Sequence, residues 1–200
     1  MKTTEIDGLV WNDNFCAETG SASYTLVANP GPLVTDFQYW NRDSYEAYIA
    51  HIGQDNRFTF LGDPSAVIKG HFVDCRAKSH ATTTNLTFSP NAESYLTIPR
   101  GVASFFAGMQ GVTVRSEPIL FAPSRPDSDY SVGNDQIRMS TATKPADFPR
   151  LIVNELPLPK GVLNLINARQ QEILRTKQSY ESSFGVPVGD TIVRINGSRG

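Results

Sequence analysis

The sequence predicts a mainly β protein of the sandwich or barrel class, followed by one C-terminal helix. Short apolar segments recur over the first 140 or so residues, and turn residues separate them. Segment 57–61 alternates polar and apolar side chains and ends at Gly62, Asp63 and Pro64, which favour a turn. Many closely spaced strands without helical segments between them are typical of a sandwich or a barrel.

The predicted strands follow from the same apolar and β-branched segments. In chain order they cover residues 9–11, 24–27, 33–39, 57–61, 66–68, 71–75, 82–88, 95–98, 112–114 and 119–121. Segment 43–51 is predicted as a short helix, because Asp43 or Ser44 would cap its N-terminus. Segment 122–149, which is rich in Pro, Ser and Asp, is predicted as a long loop.

The apolar period changes after Pro159. Val162, Leu165 and Ile166 lie at helical spacing, which predicts one amphipathic helix that ends before Gly185. The expected organisation is therefore a barrel domain over residues 1–140 and an extension over residues 141–200 with a loop and this helix. The apolar face of the helix would pack on the barrel or on a second subunit.

Composition excludes several classes of function. The 200 residues carry a net charge of −2 without a cluster of Lys and Arg, so no nucleic-acid partner is predicted. No apolar run approaches the roughly 18 residues of a membrane span, and no signal peptide is seen behind the first residues, so the predicted location is cytoplasmic. Cys16 and Cys75 are predicted as reduced core thiols, although a disulfide between them is possible.

Neither a metal nor a cofactor is predicted. The three histidines are His51, His71 and His80, and none of them forms a His-x-His pair. Strand alternation places His71 and Cys75 on one face, but two such ligands do not complete a metal site. Phosphate-loop and dinucleotide-binding motifs are absent from the sequence.

The order of several short motifs resembles the dTDP-4-dehydrorhamnose 3,5-epimerase family, from about Glu5 to Arg138. The matching segments are residues 6–10, 57–61, 66–68, 72–76, 86–91, 96–103, 121–123 and 134–135. The resemblance implies a cupin fold, which is a double-stranded β-helix or jelly-roll barrel, with an added C-terminal helix in this chain. It also implies a homodimer and a sugar-nucleotide substrate.

The resemblance also assigns candidate catalytic residues. His51 takes the place of the general base, and Arg57 the place of a Lys that steadies the developing enolate. Tyr48 lies where the family has an Arg that holds the diphosphate. Ser104 replaces a His, and Arg115 falls near the position of the family's acid tyrosine.

One further family residue has no match. The Asp that orients the base is expected shortly after residues 134–135, where this chain reads Arg138, Met139 and Ser140. Tyr95 is a candidate for stacking on a planar ligand at the barrel mouth, although such aromatic residues more often belong to the core.

These observations lead to an enzyme hypothesis and two alternatives. In the enzyme, His51 removes a proton next to a carbonyl group, and Arg57 and Arg115 stabilise oxyanion or phosphate charge. The substrate is a nucleotide sugar or a specialised metabolite. The first alternative is a non-catalytic barrel that binds a ligand or assembles through its helix. The second is a structural jelly-roll protein.

Overall fold

The structure, a computed structural model, describes residues 2–20, 23–27, 35–124, 135–181, 183–188 and 191–196. The chain divides into two compact units, Met1–Leu158 and Pro159–Gly200. The first unit contains two facing β-sheets and a separate two-stranded sheet of Phe15–Gly20 and Ser23–Val27, and the second unit contains a helix followed by a hairpin.

The strands of the described residues are numbered in chain order. They are β1 (Lys2–Thr3), β2 (Val10–Asp13), β3 (Phe15–Gly20), β4 (Ser23–Val27), β5 (Asp36–Tyr39), β6 (Ala47–His51), β7 (Gln54–Leu61), β8 (Ile68–Asp74), β9 (Thr83–Phe88), β10 (Asn91–Ile98), β11 (Val102–Ala107), β12 (Thr113–Ala122), β13 (Gln136–Ser140), β14 (Leu156–Pro157), β15 (Ser183–Val188) and β16 (Thr191–Asn196). The α-helix α1 is Lys160–Glu181, and a 3-10 turn covers Pro145–Asp147.

The first unit has the topology of a jelly roll. Its larger sheet has the strand order β1-β2-β10-β7-β12-β14, with β5 also paired to β12, and its smaller sheet has the order β13-β6-β11-β8-β9. The named ladders are antiparallel, and the chain passes from one sheet to the other at nearly every connection from β6 to β13. This interleaving confirms the predicted mainly β, double-stranded β-helix.

Aromatic side chains fill the middle of the space between the two sheets. Phe58 and Phe60 on β7 point inward from the larger sheet, and Phe72 and Phe106 point inward from the smaller one. The ring of Phe106 lies 5.4 Å from that of Phe60 and 5.6 Å from that of Phe72. These inward-facing rings establish which face of each strand belongs to the interior.

A second apolar cluster covers the outer face of the smaller sheet. Tyr48, Val73 and Met139 pack there against Phe148, which follows the 3-10 turn. Cys75 belongs to this cluster and is buried and free, as predicted for a reduced thiol. The side chain of the other cysteine lies outside the described residues.

Several predicted elements differ from the structure. The predicted strands 66–68 and 71–75 are joined in the single strand β8, and the predicted strands 112–114 and 119–121 are joined in β12. Two further predictions are wrong. Segment 43–51 contains the strand β6 rather than a helix, and its residues alternate between half-buried and buried, as a strand between two layers requires. The predicted loop 122–149 contains β13, where Ile137 and Met139 alternate with polar residues and face the second apolar cluster.

The second unit contains the predicted helix, α1, and a hairpin of β15 and β16 that the sequence did not predict. Within the described residues, no helix is long and apolar enough to cross a membrane.

Candidate active site

His51 lies at one end of the interior, on the inner face of the smaller sheet. It is the last residue of β6, two residues after Ile49, which packs against the central core. Because alternate residues of a strand share a face, His51 points to the same side as Ile49. Its side chain is 16% exposed, so it is neither enclosed in the aromatic core nor free in solvent.

Asp135 orients the imidazole of His51. One carboxylate oxygen of Asp135 lies 3.1 Å from Nδ1 of His51, and the other accepts the backbone N–H of Gly53 at 2.9 Å. A carboxylate can only accept, so the proton of the neutral imidazole lies on Nδ1. Nε2 is then unprotonated and available as a base.

The environment of Asp135 keeps its carboxyl group ionised. Burial alone would raise the pKa of Asp135, but the hydrogen bond and charge interaction with His51, together with the Gly53 amide, lower it below its usual value. An ionised carboxylate in this position balances the positive charge that His51 gains when it takes up a proton.

The backbone around His51 is held by the connection between β10 and β11. The N–H of Gly101 donates to the carbonyl oxygen of His51 at 2.6 Å. Gly101 has φ +78°, and a Cβ there would lie 2.5 Å from Cγ of Arg76. The neighbouring Arg100 binds both carboxylate oxygens of Asp55, at 2.9 and 3.0 Å. The connection is therefore fixed both by its backbone conformation and by an ion pair to both oxygens of one carboxylate.

The structure places Ser104 on the same face as His51, and Tyr48 on the opposite face. Ser104 pairs directly with Ile49, and its hydroxyl donates to the Ile49 carbonyl at 3.3 Å. Tyr48 is three residues before His51 in the same strand, so it points outward, where its hydroxyl contacts Nδ1 of His71. His51 and Tyr48 are therefore not brought together.

Arg57, Arg115 and Tyr95 lie together on the outer face of the larger sheet. Arg57 alternates with the inward-facing Phe58, and its guanidinium stacks over the ring of Tyr95 at 5.6 Å. Glu117, which pairs with Arg57 in the ladder, forms an ion pair with Arg115. The expected juxtaposition of Arg57 with His51 is therefore absent, because the sheet lies between them.

The polar residues that face inward from β7 are Gln54 and Asn56. Both share a face with Phe58 and Phe60, and Nε2 of Gln54 donates to Oδ1 of Asn56 at 2.7 Å. Sequence reasoning missed both amides. The signal was present, because alternation from the two phenylalanines selects positions 54 and 56.

Asp135 was also missed as the partner of His51. It belongs to the Asn-Asp pair that carried part of the family resemblance, whereas the orienting carboxylate was expected after that pair. The register of β13 on β6 pairs Gln136 with His51 and so brings the preceding residue next to the imidazole. This register depends on the pairing of two strands that are far apart in the sequence, so no local sequence pattern predicts it.

The described part of the chain holds no group of three or more His, Cys, Asp and Glu side chains that could bind a metal ion. The candidate site thus belongs to a protein of the jelly-roll class, with a carboxylate-oriented histidine at one end of its interior.

Comparison with known proteins agrees with this class at the level of the fold. No protein-family model matches the chain, and no curated protein matches its sequence significantly. A dTDP sugar isomerase from Desulfovibrio desulfuricans G20 matches with a TM-score of 0.50 and 17% identity, over 72% of this chain and 95% of that chain. The RmlC epimerase of Mycobacterium tuberculosis matches with a TM-score of 0.50 and 13% identity, over 79% and 83%. The chain thus has the cupin fold of these proteins, which confirms the predicted fold resemblance.

Proposed function

We propose that this protein is an isomerase or epimerase of the cupin class, which removes the proton next to a carbonyl group of a small molecule. The observation that carries this proposal is the pair of His51 and Asp135 at one end of the interior. A histidine oriented by a buried carboxylate through Nδ1 presents Nε2 as a base, and histidine is the most frequent general acid–base residue in enzymes.

In the proposed reaction, Nε2 of His51 takes the proton from the carbon next to the carbonyl. The electron pair of the broken C–H bond forms a C=C bond, and the carbonyl oxygen becomes an enolate oxygen. Asp135 stays ionised and stabilises the imidazolium. Return of the proton from His51 to the same carbon completes exchange. Return to the former carbonyl carbon completes isomerisation when the deprotonated carbon carries a hydroxyl group, because that hydroxyl passes its proton to the enolate oxygen and becomes the new keto group, with no net oxidation or reduction.

The substrate that we propose is a nucleotide sugar with a keto group, and a specialised metabolite with the same carbonyl chemistry is the alternative. The support is the fold shared with a dTDP sugar isomerase and an RmlC epimerase. The proposal includes cofactor-free chemistry and the cytoplasmic location that the sequence predicted.

The proton transfer is expected to occur from one side of the substrate. Arg115, which falls near the position of the family's acid tyrosine, points to the outer face of the larger sheet and pairs with Glu117. An arginine also cannot deliver a proton at neutral pH. This arrangement favours a transfer in which His51 both removes and returns the proton, as an isomerase requires; inversion by an epimerase would need a second acid on the opposite face of the substrate.

Hydrogen exchange in deuterated water tests the proposal. The probe is TDP-4-keto-6-deoxyglucose, and proton NMR follows the loss of signal at the carbon next to the keto group. We expect exchange with the wild type and a loss of at least about 10²-fold in His51→Asn. The matched control is His71→Asn, a half-buried histidine on the outer face, which should keep the exchange rate. Binding of the probe without exchange would support the non-catalytic alternative instead.

We also propose that the protein forms a homodimer through the outer face of the larger sheet. Phe37 and Tyr39 on β5 are 64% and 70% exposed, and Phe37 pairs with Arg115, which places both rings on that face. On the same face, Nε and Nη2 of Arg57 are buried and have no hydrogen-bond partner among the residues that the structure describes. Aromatic and arginine side chains are enriched in protein interfaces, which supports this face as the contact.

Sedimentation velocity of the full-length protein tests the dimer. The double change Phe37→Glu and Tyr39→Glu should give a monomer, because it places charges on the proposed contact. Ile152→Glu, at an apolar residue that is 84% exposed elsewhere in the first unit, should leave the dimer intact. If only Leu165→Glu, on α1, dissociates the protein, then the helix rather than the sheet forms the interface.

A further inference from the structure

Asn56 faces the same end of the interior as His51, but from the opposite sheet. β6 ends at His51 in the smaller sheet and β7 begins at Gln54 in the larger one, with only two residues between them. The start of β7 therefore lies across the interior from the end of β6. Facing sheets lie roughly 10 Å apart, so inward side chains from the two strands reach the same layer.

A second connection fixes the same arrangement. Ile98, at the end of β10, pairs directly with Asn56, and Gly101 donates its N–H to the carbonyl of His51. Only Pro99 and Arg100 lie between these two attachment points. Two crossings from sheet to sheet thus hold Asn56 and His51 at one end of the interior, and the Arg100 pair with Asp55 fixes the second crossing.

The hydrogen bonds of Asn56 leave a donor unused. Its Oδ1 accepts from Nε2 of Gln54 at 2.7 Å, which directs the amide nitrogen away from Gln54. Asn56 is only 7% exposed, and among the described residues its Nδ2 donates to no acceptor. Nδ2 of Asn56 is not among the fully buried side-chain atoms that lack a partner, so this nitrogen stays accessible and can donate to an acceptor bound at this end of the interior.

We propose that Asn56 stabilises the enolate oxygen that forms when His51 removes the proton, and that Gln54 positions its amide. This inference rests on the proposed function. When the proton moves from carbon to Nε2 of His51, negative charge develops on the carbonyl oxygen, which accepts a hydrogen bond from Nδ2 of Asn56. The donor is neutral, and it takes the role that the sequence assigned to Arg57, whose side chain lies on the outer face.

Variants of Asn56 test the proposal with the exchange assay on TDP-4-keto-6-deoxyglucose. Asn56→Leu removes the donor, and Asn56→Asp replaces it with a carboxylate that repels an enolate. Both should lower the exchange rate at saturating probe by between about 10² and 10³-fold, as loss of one oxyanion donor does in other enzymes. The affinity for the probe, measured by calorimetry, should change less than the rate, because the charge develops only in the transition state.

Asn12 provides the matched controls. It is a half-buried asparagine on β2, and its amide donates to the hydroxyl of Thr97 on the outer face. Asn12→Leu and Asn12→Asp should keep the exchange rate within about threefold of the wild type. Gln54→Met keeps Asn56 but removes the contact that orients it, so an intermediate loss of rate is expected.

The outcomes separate this inference from the proposed function. Exchange by the wild type establishes the function, and an Asn56→Leu rate within about threefold of it would then overturn only the role of Asn56. Equal losses in the Asn12 variants would overturn it as well, because the effect would be structural. If Asn56→Leu does not fold, as judged by circular dichroism, the isosteric Asn56→Asp decides in its place. A wild type without exchange overturns both.

Discussion

Replacement of Asp135 by asparagine gives the sharpest test of the pair that defines the candidate site. The carboxylate uses both oxygens, one towards Nδ1 of His51 at 3.1 Å and one towards the N–H of Gly53 at 2.9 Å. An amide of the same size offers one acceptor oxygen and one donor nitrogen. If its oxygen keeps the Gly53 bond, its nitrogen faces Nδ1, and His51 must then carry its proton on Nε2.

The change should affect catalysis far more than stability. With the proton on Nε2 the base is in the wrong tautomer, so the exchange rate should fall by between about 10² and 10⁴-fold. Loss of one hydrogen bond to a charged group costs about 1.5–3 kcal/mol. Removal of a buried charge offsets part of that cost. With a shift of about 2–4 °C per kcal/mol for a protein of this size, Tm should fall by at most about 12 °C.

The measurement is deuterium exchange into TDP-4-keto-6-deoxyglucose, together with the thermal unfolding of each variant. Asp74→Asn is the matched control, because Asp74 is also buried and the side chain and backbone of Arg76 help to lower its pKa against the effect of burial. It should lose a similar amount of stability and keep its exchange rate. An Asp135→Asn rate equal to that of wild type, in a folded protein, would refute the assignment of His51 as an oriented base.

The remaining predictions concern pH, backbone and thiol chemistry. Burial lowers the pKa of His71 below 6.5, so the unfolded chain binds a proton at a higher pH than the folded protein does, and stability falls as the pH drops below about 6.5. His71→Asn should flatten this part of the plot of Tm against pH, and an unchanged slope would contradict the prediction. Gly101→Ala forces a left-handed residue against Arg76 and should cost about 2 kcal/mol in urea unfolding, whereas a wild-type midpoint would count against it. Burial raises the pKa of Cys75 to about 11, so in a Cys16→Ser background a thiol reagent at about pH 8 should react only as fast as the protein opens; rapid reaction of the native protein would disprove it.

The barrel was predictable because its strands carry their own pattern. Apolar and polar residues alternate along β7, and Gly62 and Pro64 follow where the strand ends. That pattern depends only on which side of one strand is buried, so it can be read without knowing the neighbours. The order in which strands pair depends on contacts distant in sequence, and for this chain the family resemblance supplied what local patterns could not.

Segment 43–51 shows where local reasoning fails. Polar residues at its start resemble a helix cap, and a helix would place Tyr48 and His51, three residues apart, on one face. In the strand that forms instead, the same spacing puts them on opposite faces. Burial on both faces of the smaller sheet favours the strand over the helix, because alternate residues of β6 pack into the central core and into the outer apolar cluster.

The position of Arg57 follows from the turn that separates it from His51. An even spacing of six residues would place both side chains on the same face of one continuous strand. Ile52 and Gly53 interrupt that strand and carry the chain into the facing sheet, so the alternation starts again at Gln54. The inward positions then become 54 and 56, so the guanidinium of Arg57 turns outward to Tyr95 while the amide of Asn56 turns into the interior. The two residues between the strands therefore decide which side chains turn inward, and in the proposed site a neutral donor rather than a cation acts together with His51.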